Sequence, residues 1–470
     1  MSLSYQTAVA RMYALGHELA NAPSHKFDLA HMRVLLEALN HPELRFPGVL
    51  IAGTNGKGST AATLASILRA SGLRTGLYTS PHLVRINERI RINGTEISDD
   101  EFALLHDVVD RTAERLVEEG ELPWHPSFFE MLTAIAFEYF AQNKVEIAVL
   151  EVGMGGRLDA TNVIEPRVSV ITDVSLDHQK FLGNTVAEIA REKAGIIRPS
   201  GVVVTLPQQP QANDVIGNSI LELGAQGVSA VPYVPPVSPG SDEYLMRERH
   251  ELSESATKQG KNAAQHGRDA LLVSRYPLQV MGKQIFVETS LVGRHQLRNT
   301  ALAIATAEVL SHQGFAIGPE AIERGIRETS WPGRFQVIPA EGNALEYVFD
   351  VAHNPAAAWA LRSALSTCYE DRPLTFIFGA MRDKAISEIA EILFPLAERV
   401  IATRADNPRS ATPDEIREAA ARTATDIEEA IDVASAIDRA RSLAGPGGIV
   451  VITGSIYIVG EAMRILGVKV

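Results

Sequence analysis

The segment Gly53-Thr54-Asn55-Gly56-Lys57-Gly58-Ser59-Thr60 sets glycines, one lysine and hydroxyls between a short apolar run, Val49–Ala52, and a helical pattern that stops at Gly72. Strand, glycine-rich turn, lysine, hydroxyl and helix are the parts of a phosphate cradle. The glycines let backbone N–H groups approach phosphate oxygens, the helix start adds a favourable dipole, and Lys57 places its charge beside the β- and γ-phosphates. Thr54, Asn55, Gly56, Lys57, Gly58 and Ser59 are therefore candidate nucleotide contacts. The spacing departs from the common GxxxxGK[ST] pattern, because the first glycine is nearer the lysine and Gly58 separates Lys57 from Ser59. A glycine-rich turn with an incidental lysine is the plainer reading; the flanking strand and helix favour the cradle.

Other chemistry-bearing residues stand at similar places. Glu151 is near the end of the apolar run Val145–Val152, at the carboxyl edge of a buried strand, where open α/β sheets put their ligands. It is either a ligand of the Mg²⁺ that ATP chemistry needs or a strand-end acid paired with Arg157. His178 follows another strand end, in SLDHQKFLG; Mg²⁺ prefers oxygen to imidazole, so residue type alone assigns it no role. Lys193 falls in the last turn of a helix opened by the capping box Thr185-Val186-Ala187-Glu188 and closed by Gly195, where a cation complements the helix dipole. Asn299, inside a long helical pattern, is a polar helix position or an amide suited to an adenine edge. Phe128 and Phe129, at a helix start, suit either a flat ligand ring or the core.

The elements that must position these residues alternate along the chain. Val49–Ala52, Val145–Val152, Arg167–Val174 and Val202–Leu206 read as buried parallel strands with helices between them, which implies βαβ units and a doubly wound sheet. A second series, LEYVFDVA, LTFIFGAM, RVIAT and GIVVITGSIY, follows Trp331-Pro332-Gly333-Arg334, and Thr412-Pro413-Asp414-Glu415 makes a capping box with proline at the first helical position. The expected fold is α/β: a doubly wound N-terminal domain carrying the phosphate loop, 1–330, and a smaller Rossmann-like C-terminal domain, 331–470, with a hinge near 328–336. Residues 232–268, rich in Pro, Ser, Gln and charge, read as a solvated insertion.

Composition narrows the function classes. With 470 residues, 46% hydrophobic and 21% charged, the chain is long enough for more than one core. Its 44 basic and 57 acidic residues give a net charge of −13, and no block of Lys and Arg stands out, so nucleic acid is not an expected partner. An anionic ligand must be held by a local device, since the overall field repels it. One cysteine, Cys368, excludes an internal disulfide and suits a reducing cytoplasm. The N-terminal stretch lacks the form of a signal peptide, and no run reaches the length of a membrane span.

From the phosphate loop onward the sequence resembles the folylpolyglutamate synthases, a branch of the Mur ligase superfamily. The resemblance rests on GTNGKGS followed in order by TSPHL (79–83), NERIRING (87–94), FFE (128–130), EVGMGGRLDATN (151–162), LDH (176–178), EKAGII (192–197), GRHQLRN (293–299), WPGR (331–334), DVAHNP (350–355), NPRS (407–410) and GSIYIVGE (454–461). Together they span almost the whole chain apart from the insertion.

The resemblance implies ATP-dependent addition of L-glutamate to dihydropteroate and to tetrahydrofolate polyglutamates. The substrate carboxylate attacks the γ-phosphate to form an acyl phosphate, and the glutamate amine displaces phosphate. It also implies two Mg²⁺ sites, with Ser80 and Glu151 holding the ion on the ATP phosphates and His178 a second, and a carbamate on Lys193. Lys57, Lys193 and His353 become the catalytic candidates. Asn299, Arg334 and Asp350 become nucleotide contacts, although Arg334 also suits an ion pair and Asp350 a strand-end cap. Ser127, Phe128, Phe129 and Glu130, with Leu158, Asp159 and Ala160, become pterin contacts. GGRLDATN favours the bifunctional bacterial enzymes; a monofunctional folylpolyglutamate synthase and another Mur-type amino-acid ligase are the alternatives. Splitting the ATP site between domains would exclude water from the acyl phosphate. A monomer is expected. Where the family usually has DGAHNP, this chain has Val351 in place of the glycine, which restricts the backbone there.

Overall fold

The computed structural model describes residues 3–16, 29–236, 272–340, 345–370, 372–423, 426–445 and 447–470. The chain divides into two compact units: Met1–Val234 with 279–285 and 298–329, and Ser330–Val470 with 235–278 and 286–297. Of the segment read as an insertion, 237–268 lies outside the described residues.

The first unit is built on an eight-stranded sheet. Its strands are β1 (Gly48–Ala52), β2 (Thr75–Tyr78), β3 (Ile90–Ile92), β4 (Thr95–Glu96), β5 (Ile147–Glu151), β6 (Val168–Ile171), β7 (Val202–Thr205) and β8 (Gln226–Ser229), in the order β4-β3-β2-β5-β1-β6-β7-β8. From β2 to β8 neighbouring strands are parallel, and β3 and β4 add an antiparallel edge. Every residue of β1, β2, β5 and β6 is buried, as expected for strands covered by helices on both faces. The chain leaves β1 toward β2 on one side, and from β5 crosses to β6 on the other. The carboxyl end of β1 is thus a topological switch point, the place where such sheets bind ligands.

The helix that follows β1, Lys57–Ala70, is buried along nearly its whole length. Its position depends on a close approach: a Cβ on Gly325, in helix Pro319–Arg327, would lie 2.4 Å from Ile67 Cα and 2.7 Å from Ile67 N. Only a glycine lets the two backbones meet there. The Thr185 capping box read from sequence is present on helix Val186–Ala194.

The second unit has a six-stranded sheet, preceded in the chain by the hairpin strands β9 (Ser274–Val280) and β10 (Lys283–Thr289). Its strands are β11 (Gln336–Ile338), β12 (Glu346–Phe349), β13 (Leu374–Phe378), β14 (Ala397–Ala402), β15 (Ile427–Glu429) and β16 (Ile449–Thr453), ordered β11-β12-β16-β13-β14-β15 and parallel except for β11. Phe376, Phe378 and Phe394 fill its core. Thr412 caps helix Pro413–Ala419 with Glu415 in the reciprocal position. No helix among the described residues is long and apolar enough to cross a membrane.

The contact at Gly325 has a measurable consequence. Gly325→Ala must push the phosphate-loop helix away and is expected to lower unfolding stability in urea by about 1–3 kcal/mol. Gly217→Ala, in helix Pro210–Glu222 where an added Cβ meets nothing within 4 Å, is expected to raise it by about 0.5–1 kcal/mol.

Candidate active site

The phosphate loop takes its shape from two glycines and one strand-end carbonyl. A Cβ on Gly53 would fall 1.8 Å from Thr172 Oγ1. Gly56 has a left-handed backbone (φ 89°), and a Cβ there would fall 2.2 Å from Asn299 Oδ1. Thr54 N and Asn55 N donate to Asp173 O at 2.8 and 3.2 Å. Thr54 Oγ1 donates to Ser175 O at 2.9 Å, and Asn55 Nδ2 to Ser175 Oγ at 3.2 Å. Thr54 and Asn55 therefore anchor the loop by their side chains as well as their amides. Gly56 is the N-cap of the helix and supplies no side-chain cap, so the helix amides at Lys57, Gly58 and Ser59 point to where a phosphate would sit. Lys57 Nζ curls back over the loop, donating to Gly53 O at 3.1 Å and Thr54 O at 3.2 Å.

Lys193 reaches the same carbonyl from another helix. Its Nζ donates to Gly53 O at 2.7 Å, and the residue is 3% exposed. Burial, reinforced by the charge of Lys57 and opposed by Asp177 and Asp159, pushes the amine down to about 7. An exposed lysine serving a helix dipole would not be buried in this way.

Glu151, the last residue of β5, is buried and accepts a hydrogen bond from Ser80 N at 3.1 Å. Arg157 pairs with Glu192 at 3.0 Å, so the alternative role considered for Glu151, a partner for Arg157, is not the one found. Ser80 and Glu151 lie just past the ends of β2 and at the end of β5, neighbouring strands in the sheet. Among the described residues no three of His, Cys, Asp and Glu converge as a metal cluster. The oxygen pair Ser80 and Glu151 nonetheless suits Mg²⁺, which takes few protein ligands and completes its shell with phosphate oxygens and water. His178 sits in the left-handed region (φ 48°) as the N-cap of the short helix Gln179–Leu182, its amide donating to Asp177 Oδ1 at 2.8 Å.

The segment Ser127–Glu130 opens helix Phe128–Gln142 with a reciprocal cap. Ser127 N and Oγ both donate to Glu130 Oε2, at 2.8 and 2.6 Å. Phe128 is 3% exposed, stacked on Tyr13 at 5.8 Å and covered by the Arg89 guanidinium at 5.3 Å. Phe129 packs against Gly153, where a Cβ would lie 2.6 Å from its ring. Asp159 is buried between Leu158, which is partly exposed, and Ala160, which is buried. It accepts from Thr161 N, Thr161 Oγ1 and Met154 N at 3.0, 2.6 and 3.0 Å. Burial raises its carboxyl against those bonds.

In the second unit, Asp350 follows β12 and holds the turn around Arg334. It accepts from Phe335 N and Ala352 N, each at 2.9 Å. Burial raises this carboxyl, with Arg334 opposing. His353 Nδ1 bonds Val351 O at 2.9 Å. Val351 is absent from the left-handed residues, so a β-branched side chain replaces the family's glycine there without strain. Sequence reasoning missed Asp173, whose carbonyl shapes the loop, and Tyr13, which stacks on Phe128. A polar residue just past a strand end was the available signal for the first; nothing marked the second.

Residues 333–456 match the model of the Mur ligase glutamate ligase domain. The dihydrofolate synthase/folylpolyglutamate synthase of Bacillus subtilis is 32% identical over 444 residues, covering 93% of this chain and 94% of that protein. The folylpolyglutamate synthase of Lacticaseibacillus casei is 34% identical over 468 residues, covering 99% of each. Among solved structures, Mycobacterium tuberculosis folylpolyglutamate synthase complexed with ADP superposes with a TM-score of 0.79 at 28% identity, over 98% of this chain and 99% of that one. With full-length identity at this level and the ligase domain in place, the chain belongs to the dihydrofolate synthase/folylpolyglutamate synthase family of the Mur ligases.

Proposed function

We propose that this chain is an ATP-dependent carboxylate-amine ligase that joins L-glutamate to dihydropteroate, making dihydrofolate, and lengthens the glutamate tails of reduced folates. One observation carries the reading: one parallel sheet delivers the phosphate loop, the Ser80 and Glu151 pair and the buried Lys193 amine to the ends of adjoining strands. The names of the full-length relatives support the substrate class.

A carboxylate is a poor electrophile, and ATP makes it a good one. An oxygen of the substrate carboxylate attacks the γ-phosphorus, the bond to the ADP oxygen breaks, and an acyl phosphate forms. The neutral amine of glutamate then attacks the acyl carbon, phosphate leaves, and the amide nitrogen loses its extra proton. The protein's part is to align the reactants and neutralise charge. Lys57 and the helix amides hold the β- and γ-phosphates, with Thr54, Asn55, Gly56, Gly58 and Ser59 shaping the loop. Asn299, Arg334 and Asp350 are read as further nucleotide contacts, and His353 as a charge-neutralising group. When bound, Mg²⁺ at Ser80 and Glu151 lowers the charge on the phosphates, and His178 is read as a ligand of a second ion. Ser127–Glu130 and Leu158–Ala160 are read as the pterin contacts; Ser127 and Glu130 Oε2 also cap their helix, and Phe129 is less deeply buried than Phe128. A cytoplasmic monomer that binds neither nucleic acid nor membrane completes the reading.

Lys193 is read as a carbamate site: its neutral amine adds to CO₂, a nitrogen–carbon bond forms and a proton leaves. The depressed amine supports this, because a protonated lysine has no lone pair to donate. The sign follows directly. Below about 7 the amine is protonated and unreactive; above it the neutral form dominates.

A second reading, a folylpolyglutamate synthase that does not use dihydropteroate, draws on the 34% identity to the Lacticaseibacillus casei protein, against 32% for the Bacillus subtilis one. Purified protein incubated with ATP, Mg²⁺, glutamate and either dihydropteroate or tetrahydrofolate is expected to add one glutamyl unit to each, read by mass spectrometry. A product only from tetrahydrofolate would select the second reading, and ATP hydrolysis without any glutamyl product would sink both. Lys57→Ala is expected to lower kcat by about 100-fold or more while the melting temperature holds. Native mass spectra are expected to show one bound CO₂ equivalent that grows from pH about 6 to about 8 and is missing in Lys193→Arg; a pH-independent mass would rule out the carbamate.

A further inference from the structure

The side chains of Asp173 and Arg298 have no part in the proposed function, yet they join the segments that form the nucleotide site. Asp173 lies two residues beyond β6, and Arg298 immediately precedes Asn299 in helix Arg294–His312. Arg298 Nη2 donates to Asp173 Oδ1 at 2.6 Å and Nε to Oδ2 at 3.3 Å, a two-pronged grip on the carboxylate. The same Nη2 donates to Pro207 O at 3.0 Å, so one guanidinium ties together the chain leaving β6 and the chain leaving β7. The main chain of Asp173 meanwhile accepts from Thr54 N and Asn55 N at 2.8 and 3.2 Å. Asp173 thus grips the phosphate loop by its carbonyl and the Asn299 helix by its carboxylate. Across the loop, Asn299 Oδ1 occupies the place a Gly56 side chain would need, 2.2 Å from that Cβ.

We infer that the Arg298–Asp173 pair is a brace that sets the spacing between Asn299 and the phosphate loop, and through it the affinity for the nucleotide. Both are positioning residues. The inference rests on the nucleotide lying on the loop, as in the proposed function. The two side chains are 30% and 37% exposed, so solvent screens the pair and the effect is a modest fold-change, not a collapse of the fold. Lysine is a poor substitute for Arg298, since a single ammonium does not reproduce the planar fork.

The test is calorimetric titration of the full chain with ADP and Mg²⁺, paired with steady-state kinetics. Arg298→Ala and Asp173→Asn are each expected to weaken ADP about fivefold. KM for ATP should rise by the same factor while KM for glutamate and for the folate stays in place. The double variant should bind no more weakly than the worse single variant, and Arg298→Lys should fall between wild type and Arg298→Ala. Asp173→Asn keeps the backbone carbonyl and nearly the same shape, so it carries the test if Arg298→Ala does not fold. ADP affinity unchanged in both single variants, losses that multiply in the double variant, or equal rises in all three KM values would overturn the brace. A wild-type chain that takes up no ADP would bring down the ligase reading and this inference together, whereas wild-type binding with unaltered variants would remove the brace alone.

Discussion

The carbonyl oxygen of Gly53 accepts hydrogen bonds from two lysines, Lys57 at 3.1 Å and Lys193 at 2.7 Å. Two cations converging on one neutral acceptor repel each other, and only one of them lies within reach of water. The energetic conflict falls on the buried one. Lys193 answers it by giving up its proton near neutrality, which is the cheapest way to keep an amine in a place where a full charge would cost several kcal/mol. An amine that titrates near neutrality beside a phosphate loop is a different chemical object from the solvated cation that its helix position alone implies.

The rest of the first unit serves to keep that junction tight. Gly53 has no side chain because Thr172 stands where one would go; Gly56 has none because Asn299 does. The helix Lys57–Ala70 is held at backbone contact distance by Gly325. Around them, Asp173, Ser175 and Gln208 knit the strand ends: Gln208 accepts from Val174 N at 3.0 Å and donates to Thr172 O at 3.1 Å. A loop that presents backbone amides to a phosphate binds best when it is rigid before the ligand arrives, and these bonds supply the rigidity. The net charge of −13 makes such local organisation necessary, since nothing in the overall field attracts an anion.

The residues proposed for the pterin end already have structural work in this fold. Ser127 and Glu130 satisfy each other across a helix start, and Asp159 is enclosed by backbone and hydroxyl donors. Ser127 Oγ, Glu130 Oε2 and both carboxylate oxygens of Asp159 are committed to holding their own segments. Phe128 is enclosed between Tyr13 and Arg89 and acts as core; Phe129 is half-buried, its ring against Gly153 and 5.9 Å from the Tyr78 ring.

Much of this molecule is legible in its amino-acid sequence. The strands β1, β5, β6, β7, β12, β13, β14 and β16, the phosphate loop between β1 and its helix, and the capping boxes at Thr185 and Thr412 follow from local rules: apolar runs of strand length, glycine where φ turns positive, hydroxyl and carboxylate three residues apart. The short strands β2, β3, β4, β8, β11 and β15 carry too little apolar run to be read that way. Glu151 can be named because it stands at the end of a buried strand, whereas the roles of Ser80, His178 and the other site residues outside the phosphate loop are reached only through the family motifs. What local rules do not reach is distance across the fold. That Lys193 is buried on Gly53, that Arg157 faces Glu192 instead of Glu151, that Gly325 exists for Ile67 and that Arg298 grips Asp173 are all decided by which strands lie side by side. Hydrophobic period and turn chemistry specify the elements; desolvation and close packing, which depend on residues from 35 to more than a hundred positions apart, specify what their side chains become.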